Sequence, residues 1–238
     1  MNAIFKKEIL SFFSSTVGYT IIIVFLLINA LLLWFFKGFS NIFYNGYANL
    51  TPFFSNSTLL FTILIPVITM KSFADEYNNG TIEILKTLPI NFWNIILGKF
   101  VAFKTIIGII LIPTFIFAYS IYQIANPVGN VDLGVVLTSY IGLILVATTY
   151  TSIGLYTSIL TKNSITAFIV SLSINCFLLF GFDALENITN SNSGFYNLGI
   201  YNHLNSLQRG VLDTSDIGYF LSLTFAFLFL AKKQLSNV

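Results

Sequence analysis

Residues 76 to 89 read Glu76-Tyr-Asn-Asn-Gly-Thr-Ile-Glu-Ile-Leu-Lys-Thr-Leu-Pro89, a charged and amidated stretch set between runs apolar enough to enter a bilayer. Asp75 and Glu76 close the run before it. Asn79-Gly80 is a turn pair, because both residues accept backbone angles that bulkier side chains resist. Thr81 can cap a helix, and Glu83 then falls in the first turn, where the peptide dipoles favour an acid. Pro89 stops that helix, since the residue before a proline is pushed out of the helical region. Ile82, Leu85 and Leu88 recur every third residue and form an apolar edge beside Glu83 and Lys86. The spacing predicts a short surface-parallel helix over Ile82 to Leu88, a handle through which a partner could move both flanking spans. An ordinary interfacial turn has the same pattern, so the residues alone leave both readings open.

Composition puts the rest of the chain in a membrane. Of 238 residues, 56% are hydrophobic and 8% charged, with a mean hydropathy of +0.85; a soluble domain is about 25% charged. The net charge of +2 is scattered, whereas a nucleic-acid partner needs a clustered basic patch. Cys176 is the only cysteine, which excludes an internal disulfide and a cysteine-rich metal site. Its place in an apolar run makes it a packing residue.

Six runs read as spans, with limits of about 18–37, 56–73, 100–122, 133–160, 164–181 and 215–231 in one transmembrane domain covering 1–238. Gly18 to Phe36 holds thirteen Ile, Leu, Val or Phe residues. At about −0.4 kcal/mol each they contribute roughly −5 kcal/mol, so Asn29 cannot undo insertion. That run is too long for a signal peptide and lacks a small-residue cleavage site after it. The second run must extend by a turn. The sixth recruits Thr214 and Ser215 as its start and lets Lys232 and Lys233 snorkel at its end. Pro66 and Pro113 predict kinks that neighbouring helices can accommodate. In the fourth run Ala147, Thr148, Thr151, Ser152 and Gly154 form a small-residue packing face.

Lys6, Lys7, Lys71, Lys86, Lys99, Lys104, Lys162, Lys232 and Lys233 fall on one side of this scheme, leaving Lys37 and Arg209 opposite. The positive-inside rule makes that side cytoplasmic, with both termini and the opening stretch on it. Residues 1–16 read as an interfacial helix, with Phe5, Ile9, Phe12, Phe13 and Thr16 on one side and Lys7, Glu8, Ser11, Ser14 and Ser15 on the other. The outer segment 182–214 carries His203, Arg209 and Asp213. Arg209 and Asp213 stand at helical spacing for a pair, and Leu204, Leu207, Val211 and Leu212 make an apolar stripe. A short helix there is an outer gate or partner surface, or a lid over helix ends.

The residues offer no catalytic constellation. Gly98-Lys99 is followed by Phe100, and Trp93 stands where a phosphate-binding loop needs its first glycine. His203 has no second ligand nearby with which to share a metal. Lys104, about one turn inside its span, is the only ionisable group expected near the membrane interior. Energy must then arrive from another chain.

The order Glu76, Gly80-Thr81-Ile82-Glu83-Ile84-Leu85, Pro89 and Leu97-Gly98-Lys99-Phe100 resembles the coupling-helix region of ABC-2 type transporter permeases. The resemblance implies an all-α half-transporter of six spans with cytoplasmic termini. Its loop would dock on a separate ATPase through Glu76, Gly80, Thr81, Glu83, Leu85 and Pro89. ATP and Mg would sit on that partner, with no cofactor in this chain. More narrowly, Tyr47 to Phe54, Ile65 to Glu76 and Tyr201 to Asp216 resemble the gliding-motility-associated permeases of Bacteroidota (GldF-like). Lys71 and Ser215 depart from that pattern, standing where arginine is expected. This implies an inner-membrane subunit beside a GldA-like ATPase and a GldG-like second membrane subunit, or a second copy of itself. A non-transporting scaffold or mechanical transducer, and a stand-alone channel, are the alternatives.

Overall fold

The computed structural model describes residues 1–83, 91–189 and 195–237. Among them the regular structure is helical throughout, and six helical stretches are long and apolar enough to cross a membrane. The expected all-α six-span class is the one found.

Helix α1 (Asn2–Ser14) meets α2 (Thr16–Trp34) at a sharp elbow. Ser15 is extended there, and its hydroxyl accepts from Gly18 N at 3.1 Å while donating to Phe12 O at 2.9 Å. A Cβ on residue 18 would lie 2.3 Å from Phe12 O, so only glycine lets α1 fold this tightly against α2. After the short α3 (Ile42–Asn45), α4 (Thr51–Thr69) begins with Pro52 in its first turn and runs on through Pro66. It breaks at Met70 and resumes as α5 (Lys71–Asn78). The two together form a rod of 28 residues.

Helix α6 (Phe92–Leu111) is capped by Asn91, whose side chain accepts from Trp93 N. Pro113 lies in a 3-10 turn, Ile112–Thr114, that joins α6 to α7 (Phe115–Ile124). A tight turn absorbs the hydrogen bond that proline cannot donate. The central helix is α8 (Leu133–Leu160), started by Asp132, which accepts from Gly134 N and Val135 N at 2.9 and 3.2 Å. Asn163 caps α9 (Ser164–Cys176), which passes through a π-helical turn, Phe177–Gly181, into α10 (Phe182–Thr189). Helix α11 (Ile200–Gln208) and the last span, α12 (Thr214–Asn237), complete the chain.

Helix α8 packs on α4, α6, α9, α11 and α12. Hydrocarbon gives helices no hydrophobic reason to associate, so close approach and hydrogen bonding must hold them. Both are present. At Gly154 an added Cβ would meet Thr69 Oγ1 at 2.0 Å, so α8 approaches α4 here more closely than any larger residue would allow. One turn on, Ser158 Oγ donates to Met70 O at 2.9 Å and accepts from Phe73 N at 2.9 Å and Ala74 N at 3.2 Å. The break between α4 and α5 is therefore closed by a side chain from α8, which fixes the direction of α5. The small-residue face read from the sequence serves this packing within the chain. Tyr150 reaches Thr62 on α4 at 3.5 Å, and Thr149 reaches Thr224 on α12 at 3.2 Å.

Both ends of the chain lie by the start of α6. Gly98 is against Ile4 and Met1, and Lys232 Nζ stands 5.2 Å above the Trp93 ring. The expected Arg209–Asp213 pair is absent from the ion pairs of the described residues. Helix α11 ends at Gln208 and Gly210 turns left-handed at φ +88°, so the two residues never share a helix face. The same turn splits the expected apolar stripe. Leu204 and Leu207 are buried, whereas Val211 and Leu212 are exposed.

Candidate functional site at the α5 turn and its ion cluster

The handle expected at residues 76–89 falls partly within the described residues. Its base, Glu76, is on α5 and only 5% exposed. Gly80 follows with φ +67°, the left-handed geometry that an Asn-Gly turn supplies. Residues 81–83 are helical, with Thr81 and Glu83 exposed and Ile82 buried. The Thr81 hydroxyl reaches back to the Glu76 carbonyl at 3.3 Å. Ile84 to Leu88 and Pro89, including Leu85, lie outside the described residues.

Glu76 turns inward, away from the surface where a docking partner would meet it. Its Oε1 accepts from Lys99 Nζ and from Lys7 Nζ, both at 3.0 Å. Lys99 is 1% exposed. Its remaining hydrogens go to Glu8 Oε1 at 2.7 Å and to the Ser72 carbonyl at 2.6 Å, and its Nζ stands 4.5 Å from the centroid of the Phe73 ring. Three donors meet three acceptors, which is the condition for holding a buried ammonium. The quartet of Lys7, Lys99, Glu8 and Glu76 is neutral, and it joins α1, α5 and α6. Burial works against the Lys7 charge, but the hydrogen bond and attraction of Glu76, with Glu8 adding to them, outweigh it and hold Lys7 above its ordinary value. Glu76 Oε2 is buried with no partner among the described residues.

The charge pattern in the sequence pointed elsewhere. Lys104 was expected to be the ionisable group nearest the membrane interior, yet it is exposed on the side of the bundle next to Ile144 and Thr148. Among the described residues Lys99 is the buried cation. The available signal was the rule that a charge in an apolar helix needs a partner. No spacing identifies that partner, because Glu8 and Glu76 are 91 and 23 residues away in sequence.

At the opposite end of the bundle, the three residues read as one outer site separate. The His203 ring bridges Asp216 Oδ1 at 2.6 Å and the Asn197 carbonyl at 2.8 Å, stacked 4.1 Å from Tyr219. A carbonyl only accepts, so the contact with Asn197 requires a hydrogen on Nε2. The contact with Asp216 docks α11 on α12. Asp213 is exposed and caps α12, with Ser215 N donating to it at 3.0 Å, and that backbone bond is the main reason its carboxyl is held below the ordinary value. Arg209 is exposed and joins neither group. Among the described residues no group of His, Cys, Asp or Glu is assembled to hold a metal.

The fold defines a multi-pass helical membrane protein, and the clamp ties its N-terminal helix α1 ionically to the base of an exposed turn. A family model described as ABC-2 family transporter protein matches residues 2–225, and the chain belongs to that family. It is a membrane permease component of an ABC transporter. A comparison with curated proteins finds no match.

Proposed function

We propose that the turn after α5 is the surface on which a separate ABC ATPase pushes, and that the ion quartet carries that push into the spans. The observation that carries this reading is Lys99, which binds the base of the turn to α1 and α6 through direct hydrogen bonds. Exposed Gly80, Thr81 and Glu83, with Leu85 and Pro89 beyond them, would touch the partner, while Glu76 works from beneath. In this scheme ATP and Mg belong to the partner chain and this chain is not itself catalytic.

The turn and both termini are assigned to the cytoplasmic side of a bacterial inner membrane. The lysines concentrated at that end of the bundle support the assignment. The resemblance to GldF-like permeases supports a role in gliding motility beside a GldA-like ATPase and a GldG-like membrane subunit, the work being export or mechanical. In a reconstituted complex Glu83→Lys should lower the coupled ATPase rate by about tenfold, the effect of one lost charge-assisted contact. An unchanged rate would overturn the coupling role. Stimulation of that rate by cargo distinguishes export from mechanical transduction.

A further inference from the structure

Between α1, α2 and the α4–α5 rod lies a cleft of about 590 Å³. Its two halves differ chemically. One half is walled by Val17 and Ile21 of α2, Val67 and Ile68 of α4, and Phe103 of α6. The other half carries Lys7, Lys71, Asp75 and the buried hydroxyl of Ser72, which has no partner among the described residues, together with Glu8 and Glu76, whose Oε1 atoms are already held by Lys99, and by Lys7 in the case of Glu76. From Val67 to Asp75 the helical rise is about 12 Å. That length is enough to reach from the edge of the hydrocarbon through a headgroup layer, which is about 5–7 Å thick on each side of a bilayer.

We propose that this cleft is a binding site for a zwitterionic aminophospholipid of the leaflet on the α1 side. Lys71 and Asp75 are one helical turn apart, a Cβ spacing of about 6 Å. Neither is in an ion pair among the described residues. Opposite charges at that spacing match a phosphate and an ammonium joined by a two-carbon arm. The lipid phosphate accepts from Lys71 and Lys7, its ammonium donates to Asp75, and an acyl chain lies along Val17, Ile21 and Val67. Phosphatidylglycerol brings no cation to Asp75, and the quaternary nitrogen of phosphatidylcholine has no hydrogen to donate. A segment of a soluble partner would have to bury unpaired backbone groups against the apolar half, at hydrocarbon depth. The assignment uses the cleft and its place beside the membrane spans, and needs no ATPase.

The full-length protein in bilayer discs holding equal phosphatidylethanolamine, phosphatidylcholine and phosphatidylglycerol tests this by native mass spectrometry. The ethanolamine lipid should remain bound in excess of either other lipid by about tenfold, the effect of one charge-assisted hydrogen bond. Lys71→Ala and Asp75→Ala should each abolish that preference at unchanged melting temperature, while Lys37→Ala, the same charge change at the other end of α2, keeps it. Equal retention of the three lipids, or a preference unmoved by both cleft variants, would overturn the site. A photo-crosslinker at the exposed Ser11 on the cleft rim should capture a lipid in native membranes, and a protein-sized product there would overturn it equally.

Discussion

Replacing Lys99 with methionine keeps most of the side chain's length and apolar stem and removes only the ammonium. The loss orphans Glu8 Oε1, the Ser72 carbonyl and half of the charge compensation of Glu76. Two carboxylate oxygens that shared Nζ at 2.7 and 3.0 Å lie at most about 6 Å apart, and like charges at that spacing repel by about 3 kcal/mol at an effective dielectric of ~20. Breaking a buried pair typically costs about 3–5 kcal/mol. The partly exposed Lys7 stays on Glu76 and shifts the expectation to the lower end. A loss of about 3 kcal/mol lowers Tm by about 6–12 °C in a chain of this size. Thermal unfolding in one detergent is the assay. Adding Glu76→Gln to Lys99→Met removes one of the two repelling charges, so the double variant should melt above the single. Lys99→Met melting within about 2 °C of the parent, or additive losses in the double, would refute the account of the quartet.

Other substitutions follow from the same geometry. Gly154→Ala should destabilise by about 1–3 kcal/mol through its clash with Thr69, and Thr69→Ala should recover part of that loss in thermal unfolding. His203→Phe keeps the stack on Tyr219 but leaves Asp216, 5% exposed, without its partner, at a cost of about 1–3 kcal/mol. Arg209→Ala should fall within about 0.5 kcal/mol of the parent in the same assay. For pH, the raised Lys7 contributes fully below the ordinary lysine value and is lost as pH climbs through its raised value. The lowered Asp213 contributes fully above the ordinary aspartate value and is lost as pH falls through its lowered one. The Tm difference between parent and Lys7→Ala should therefore be flat from about pH 5 to about pH 9, and a slope in that window would contradict the pairing.

The spans were legible because hydrocarbon imposes length and composition directly on the sequence. The caps Asn91, Asp132 and Asn163 went unread, although each is a local signal that stands one residue before the helix it starts. The break at Met70 was not legible, although Pro66 drew attention to that segment. Helix α4 passes through its proline, and the interruption sits where Ser158, 88 residues away, replaces the missing hydrogen bonds. The outer helix α11 was legible as an apolar stripe, but its end was set by Gly210 before the stripe ran out. Lys99 was hidden for a comparable reason. Its burial depends on α1 folding back at Gly18 to bring Glu8 across α6, a tertiary event that no periodicity along α6 records.

The central claim is that an ATPase of another chain works this bundle through the turn after α5. A photo-crosslinker placed at residue 83 in the native membrane tests it most directly. The account predicts a product of the size of an ABC ATPase subunit, with a yield that changes on adding nucleotide. No ATPase product, or labelling that places residue 83 on the membrane face opposite the chain's two ends, would contradict it.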